Sequence, residues 1–273
     1  MKSLLVVGQG AWGKKVAGSI QSHLEEHKVS SWSSRSFLLT PPTNKFDAIW
    51  IAGLPSNQVK ALEIASLLSN LIILEKPICH TLEDFFNLEG VITNSHVNID
   101  LSRPWNFSNL WVNTLQAIES WDLNRTEITF SRKGPAAHSY ISSVEDWVPH
   151  DIYLASALFP SFEQEVSVNF MKSSSASLNT SLKLQSGAIL NFTFAEHQER
   201  ESFVKIQSTY GDLILDFVRR TLEINGEKGP IKNLNSLDDI SRNYLSAFES
   251  NNRDTMKQIR TQRWFKSLIV QAN

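Results

Sequence analysis

The 273-residue chain is 41% hydrophobic and 20% charged, the balance of a well-cored globular protein with one large domain or two modest ones. Its net charge is −2, with acidic and basic residues interspersed and no basic run, so nothing in the composition suggests a nucleic-acid surface. No stretch approaches the ~20 apolar residues of a membrane span.

The first apolar run, Leu4–Val7, reads as a buried strand and stops at Gly8-Gln9-Gly10-Ala11-Trp12-Gly13. G-x-G-x-x-G between a strand and a helix is a phosphate cradle. The first glycine permits a tight turn, the second lets backbone approach a pyrophosphate, and the third lets the helix pack close. The helix start aims unpaired N–H groups at the anion. Gly8, Gly10, Ala11, Trp12 and Gly13 are therefore candidate dinucleotide-binding residues; the alternative is an ordinary strand-to-helix turn.

A helix over 14–27 follows, with Val16, Ala17, Ile20 and Leu24 at helical spacing. Residues 28–36 alternate as a second strand, and Pro41-Pro42 breaks the chain. A third strand covers 47–53, then a helix capped by Ser56 or Asn57. A fourth strand over 70–77 ends in Glu75-Lys76-Pro77. Cys79, the one cysteine, rules out an intrachain disulfide and reads as a small packed residue; no Cys/His spacing suits a metal. Thr81 with Asp84 forms a capping box, and 90–95 reads as a fifth strand.

This alternation predicts an α/β fold: a doubly wound parallel sheet in a Rossmann domain over 1–96. Ligands of such sheets lie beyond the carboxyl ends of the strands. Those ends carry Gly8–Gly13, Ser33–Arg35, Gly53–Pro55 with Leu54 between, and Glu75–Pro77. Ser33-Ser34-Arg35 holds no carboxylate for a ribose 2′-hydroxyl but has a cation and hydroxyls suited to a 2′-phosphate. The expected cofactor is NADP(H) in preference to NAD(H), unless Arg35 stacks on adenine or faces water.

The pattern changes after 97. A helix over 108–121 precedes alternating runs at 126–132, 165–173, 175–185, 187–196, 202–209, 212–218 and 221–225. Helices over 238–250 and 253–271 close the chain, the last expected to pack back on the first domain. Residues 97–273 thus form a second α/β domain for substrate binding and dimerisation, with an open, mostly antiparallel sheet.

The chain resembles the Gfo/Idh/MocA oxidoreductases, the glucose–fructose oxidoreductase and inositol dehydrogenase family. Three motifs carry the likeness: G-Q-G-A-W-G at 8–13, Glu75-Lys76-Pro77, and Asp146-x-x-x-His150. The resemblance implies that Lys76 lies near nicotinamide and substrate, that His150 is the acid/base on the reacting hydroxyl, and that Asp146 stands beside it. Such a base must reach its oxygen at ~2.6–3.2 Å and titrate near working pH, which suits histidine. A lysine ammonium stabilises a developing alkoxide. Without the family, Lys76 reads as a solvated strand-end lysine, His150 as a helix-start histidine and Asp146 as a helix cap. The chain departs from the family at Tyr153, which replaces a frequent aspartate, at Gly53-Leu54, which replaces a Thr-Pro pair, and at Gln58, which replaces a histidine.

The expected function is an NADP(H)-dependent oxidoreductase acting on a hydroxyl or carbonyl of a sugar, cyclitol or sugar derivative. Two alternatives stand beside it. One is a biliverdin reductase-like enzyme for a C=N or conjugated bond, with Trp105, Trp111 and Trp147 lining the pocket. The other is a non-catalytic dinucleotide-binding sensor. The start of the chain does not read as a signal peptide, so a cytoplasmic protein is expected, a homo-oligomer through its C-terminal sheet with a small-molecule substrate and no nucleic-acid or membrane partner.

Overall fold

The computed structural model describes residues 2–136, 141–159, 166–174, 176–232 and 237–272. By contacts the chain divides into two compact units, Met1–Phe107 with Ser236–Arg263, and Ser108–Asn235 with Trp264–Asn273.

In the first unit, strands β1 (Lys2–Val7), β2 (His27–Trp32), β3 (Ala48–Ile51), β4 (Leu71–Leu74) and β5 (Asn98–Leu101) form a parallel sheet in the order β2-β1-β3-β4-β5. Every residue of β3 and β4 is buried, as strands covered on both faces require. Helices α1 (Ala11–His23), α2 (Ser34–Leu39), α3 (Gln58–Ser66) and α4 (Leu82–Asn94) connect the strands, with a 3₁₀ turn at Pro55–Asn57. Helix α7 (Asp239–Ala247) packs on α1, so Ile240 and Tyr244 join Val16, Ile20, Leu4 and Trp50 in one core.

Several boundaries differ from the sequence expectation. The strand expected over 90–95 is the last turn of α4; Phe85, Leu88 and Ile92 recur at helical spacing and are buried, and β5 begins at Asn98. Helix α1 ends at His23 rather than 27, and β2 stops at Trp32 because Ser33 caps α2, accepting the Ser36 N–H at 3.0 Å. Asn57 occupies the N-cap of α3 without a side-chain cap bond. The Thr81–Asp84 capping box forms in full.

The second unit is built on an eight-stranded sheet: β6 (Glu127–Gly134), β7 (Val166–Ser173), β8 (Ser177–Leu184), β9 (Ile189–Glu196), β10 (Glu201–Ser208), β11 (Gly211–Asp216), β12 (Thr221–Ile224) and β13 (Glu227–Lys228). The order is β13-β12-β11-β10-β6-β9-β8-β7, antiparallel except for β6 with β9. Glu165 and Ser175, at the head of two expected strands, lie outside the described residues. Helices α5 (Asn109–Ala117) and α6 (Ser143–Leu158) pack on one face, where Ile128, Phe130, Leu190, Phe192, Val204 and Ile206 alternate inward. Helix α8 (Asn252–Ala272) contributes residues to both units, and its Phe265 meets Phe192 edge-on at 5.3 Å.

Candidate functional site

The carboxyl ends of the first sheet lie in register. Val7 pairs with Trp32 and Ile51, Ile51 with Leu74, and Leu74 with Leu101. Backbone bonds carry the ladder one residue further, from Gly8 N to Trp32 O (2.8 Å), Ala52 N to Val7 O (2.8 Å), Glu75 N to Ile51 O (3.0 Å) and Ser102 N to Leu74 O (2.7 Å). Gly8, Ser33, Ala52, Glu75 and Ser102 therefore form one row along that edge. The structure thus brings together the four expected groups of the first unit: the glycine turn, Ser33–Arg35, Gly53–Leu54 and Glu75–Pro77.

Each glycine of the turn has its own reason. Gly8 has φ +135°, and a Cβ there would lie 2.5 Å from the carbonyl oxygen of Ala52. A Cβ on Gly13 would collide with the carbonyl oxygen of Gly8. Gly10 is different: its φ is −68° and a Cβ would meet nothing within 4 Å. Neither a strained φ nor packing requires glycine there; glycine suits this N-cap position and leaves the backbone bare for a ligand to approach. Gly10 also caps α1 without any side-chain bond, and the first turn of α1 holds no acid. The first N–H groups of this helix thus have no side-chain cap, the arrangement that suits an anion. Helices α4 and α6 instead carry full capping boxes and two acids each in the first turn.

Around this turn, Ala11 is exposed and Trp12 half-buried, with Lys15 Nζ 5.2 Å from the Trp12 ring centroid. Ser34 Oγ sits where a Cβ on Gly53 would go, at 2.9 Å, so Gly53 makes room for it. Arg35 is exposed in the first turn of α2, and Leu54 is an exposed leucine just past β3. Lys76 is half-buried and joined to Pro77 by a cis peptide bond. Glu75 points inward, 4% exposed. Sequence reasoning passed over its neighbours Trp50 and Ser102. Ser102 follows the strand that was misplaced, which is why it was missed.

In the second unit, Asp146 and His150 stand one turn apart on one face of α6, Asp146 buried and His150 half-buried. Asp146 does not cap the helix. Ser142 does, in a box with Glu145 that Lys266 and a Ser143–Glu196 bond of 2.7 Å support. The Ser142-x-x-Glu145 spacing was the available signal. Burial alone would raise the Glu145 carboxyl, but the Lys266 ammonium and Ser142 hold it below the ordinary range. Asp151, 1% exposed, turns to β6, where Arg132 Nε donates to it at 2.6 Å and Arg132 Nη1 donates to Ser202 at 2.6 Å. Burial pushes the Asp151 carboxyl up and the guanidinium opposes that. Tyr153, at the position of the family's second aspartate, is buried, as is Trp111. Among the described residues no His/Cys/Asp/Glu group could hold a metal, and no helix is long and apolar enough to cross a membrane.

The fold is a five-stranded parallel sheet with a glycine turn, followed in sequence by an open, mostly antiparallel sheet. No family model and no curated protein sequence matches the chain. Solved structures do share its fold. UDP-N-acetylglucosamine 3-dehydrogenase GnnA from Acidithiobacillus ferrooxidans superposes with a TM-score of 0.76 at 14% identity, covering 99% of this chain and 98% of that one. Myo-inositol 2-dehydrogenase from Lactobacillus plantarum gives 0.76 at 12% identity, covering 99% and 96%. The WlbA dehydrogenase from Bordetella pertussis, solved with NADH and UDP-GlcNAcA, gives 0.75 at 12% identity, covering 100% and 96%. These neighbours are dehydrogenases of the Gfo/Idh/MocA type, and the chain has their fold.

Proposed function

We propose that the chain is an NADP(H)-dependent oxidoreductase of the Gfo/Idh/MocA family, moving a hydride to or from a hydroxyl or carbonyl of a sugar, cyclitol or sugar derivative. The glycine turn carries the dinucleotide reading: Gly10 keeps the backbone bare at the start of α1, where no side chain caps the helix and no acid lies in its first turn. Ser34 and exposed Arg35, in the first turn of α2 just past β2 with no acid in that turn, favour the 2′-phosphate form.

A bound nicotinamide would supply the hydride chemistry. In oxidation, His150 takes the hydroxyl proton as the same carbon gives up its hydride; in reduction, it returns that proton to the oxygen. Lys76 hydrogen-bonds the reacting oxygen and stabilises its developing charge. Asp146 orients the imidazole from one turn away. On the sheet of the second unit, Phe203 and Ile214 share the face opposite buried Val204 and Leu213, which supports a homo-oligomer through that face.

Fluorescence titration with NADPH and NADH, then turnover screens over sugars, sugar nucleotides, cyclitols and tetrapyrroles, test the reading. Submillimolar binding of NADPH, with His150→Ala lowering turnover by about 10²–10⁴ while leaving binding intact, is expected. Binding of neither nucleotide rejects it. Turnover of tetrapyrroles alone would point to the reductase alternative, and binding with no turnover in any screen to a sensor.

A further inference from the structure

Beneath Lys76 lies a buried polar brace that the chemistry above does not use. The two residues flanking Lys76 have their carbonyl oxygens held by one side chain. Gln58 Nε2 donates to Glu75 O at 2.6 Å and to Pro77 O at 3.3 Å. Gln58 is 0% exposed, so no water replaces this donor if it is lost. The side chain of Glu75 is anchored in turn. Its Oε1 accepts the Trp50 indole N–H at 2.8 Å, tying it to the middle of β3. Burial pushes the Glu75 carboxyl up, while the Ser102 hydroxyl, the indoles of Trp12 and Trp50 and the Lys76 charge pull the other way.

We propose that Gln58 and Glu75 are positioning residues for Lys76. Gln58 grips the backbone on both sides of the lysine, and Glu75 locks its preceding neighbour to β3. The glutamine takes a single rigid role at a buried position whose donor faces two acceptors. A side chain at a strand end would otherwise move with its loop; here the backbone is held on both sides of the lysine. This deepens the oxidoreductase reading, on which it rests for the nucleotide arm of its test.

Reductive methylation with ¹³C-formaldehyde gives each lysine its own methyl resonance, and Lys76→Arg assigns that of Lys76. Gln58→Met removes the donor at similar volume, and Gln58→His returns an N–H. Gln58→Met should displace or broaden the Lys76 resonance while leaving that of Lys14 in place, and weaken NADPH binding about tenfold, the loss of one buried hydrogen bond. Gln58→His should recover most of both. A folded Gln58→Met protein with the wild-type Lys76 resonance overturns the proposal. If that variant does not fold, Trp50→Phe, which strips the indole donor from Glu75, is read in the same way, and an unmoved Lys76 resonance again overturns it. Wild-type protein that binds neither nucleotide rejects the cofactor reading instead, and the Lys76 resonance still decides the brace.

Discussion

Gly8 and Gly13 shape the turn of the first unit because backbone oxygens occupy the space a Cβ would need. Helix α6 of the second unit is steered by side chains far away in sequence: Arg132 on Asp151, Glu196 on Ser143, Lys266 on Glu145. The turn is set by excluded volume, from Gly8 against Gly13 and from Ala52 on the neighbouring strand against Gly8; α6 is set by two ion pairs and a serine–carboxylate bond. Excluded volume leaves a mark on residue choice that is readable locally. Charge pairing leaves two ordinary residues whose relation appears only on folding.

The sharpest way to break this contrast is Asp151→Ala. It strands Arg132, 6% exposed, without its carboxylate, and a loss of about 3–5 kcal/mol in urea denaturation is expected. A loss below 1 kcal/mol would mean the pair does not steer α6. Next comes Gly13→Ala, expected to destabilise by about 1–3 kcal/mol through forced displacement of the Gly8 carbonyl. Gly10→Ala meets no clash and should cost only the difference between a glycine and an alanine N-cap, about 0.5–1 kcal/mol in the same melt, yet weaken NADPH. Equal melting losses for the two would show that Gly10 also serves the fold.

Arg35→Glu should shift the NADPH-to-NADH affinity ratio about tenfold toward NADH without moving the melting temperature. An unchanged ratio would remove Arg35 from the cofactor site. The smallest effect is in pH. Glu145 titrates below its ordinary 4.5 in the fold, so its stabilisation is full above that pH and disappears as pH falls through the lower folded value. Lys266→Met should therefore cost roughly 1 kcal/mol at pH 7 and almost nothing in strong acid, followed by denaturation at several pH values. Glu75 shifts the other way. Its raised folded value means stability present below 4.5 is lost as pH rises through it, so Glu75→Gln should gain on wild type toward neutral pH.

Much of the first edge was legible. The glycine spacing, the Thr81 box and the positions of β1, β3 and β4 follow from neighbours in sequence. The failure at 90–95 came from reading Val91-Ile92 as a short apolar run, when the longer window of Phe85, Leu88 and Ile92 belongs to a helix. The boundary of β2 was blurred because Ser33 serves a helix rather than the strand. At α6, Asp146 and His150 were found through family likeness, whereas Arg132, Ser202 and Lys266 had no local signal at all.

Periodicity, turn glycines and capping spacings indicated the two kinds of sheet and the turns after β1, β3 and β4, because each arises from residues within a turn or a strand of one another. Which carboxylates are buried, which of them meet a cation, and how Gln58 comes to hold both shoulders of Lys76 were settled by folding alone. Those contacts join segments separated by many residues, and their strength comes from the exclusion of water that only the packed chain provides.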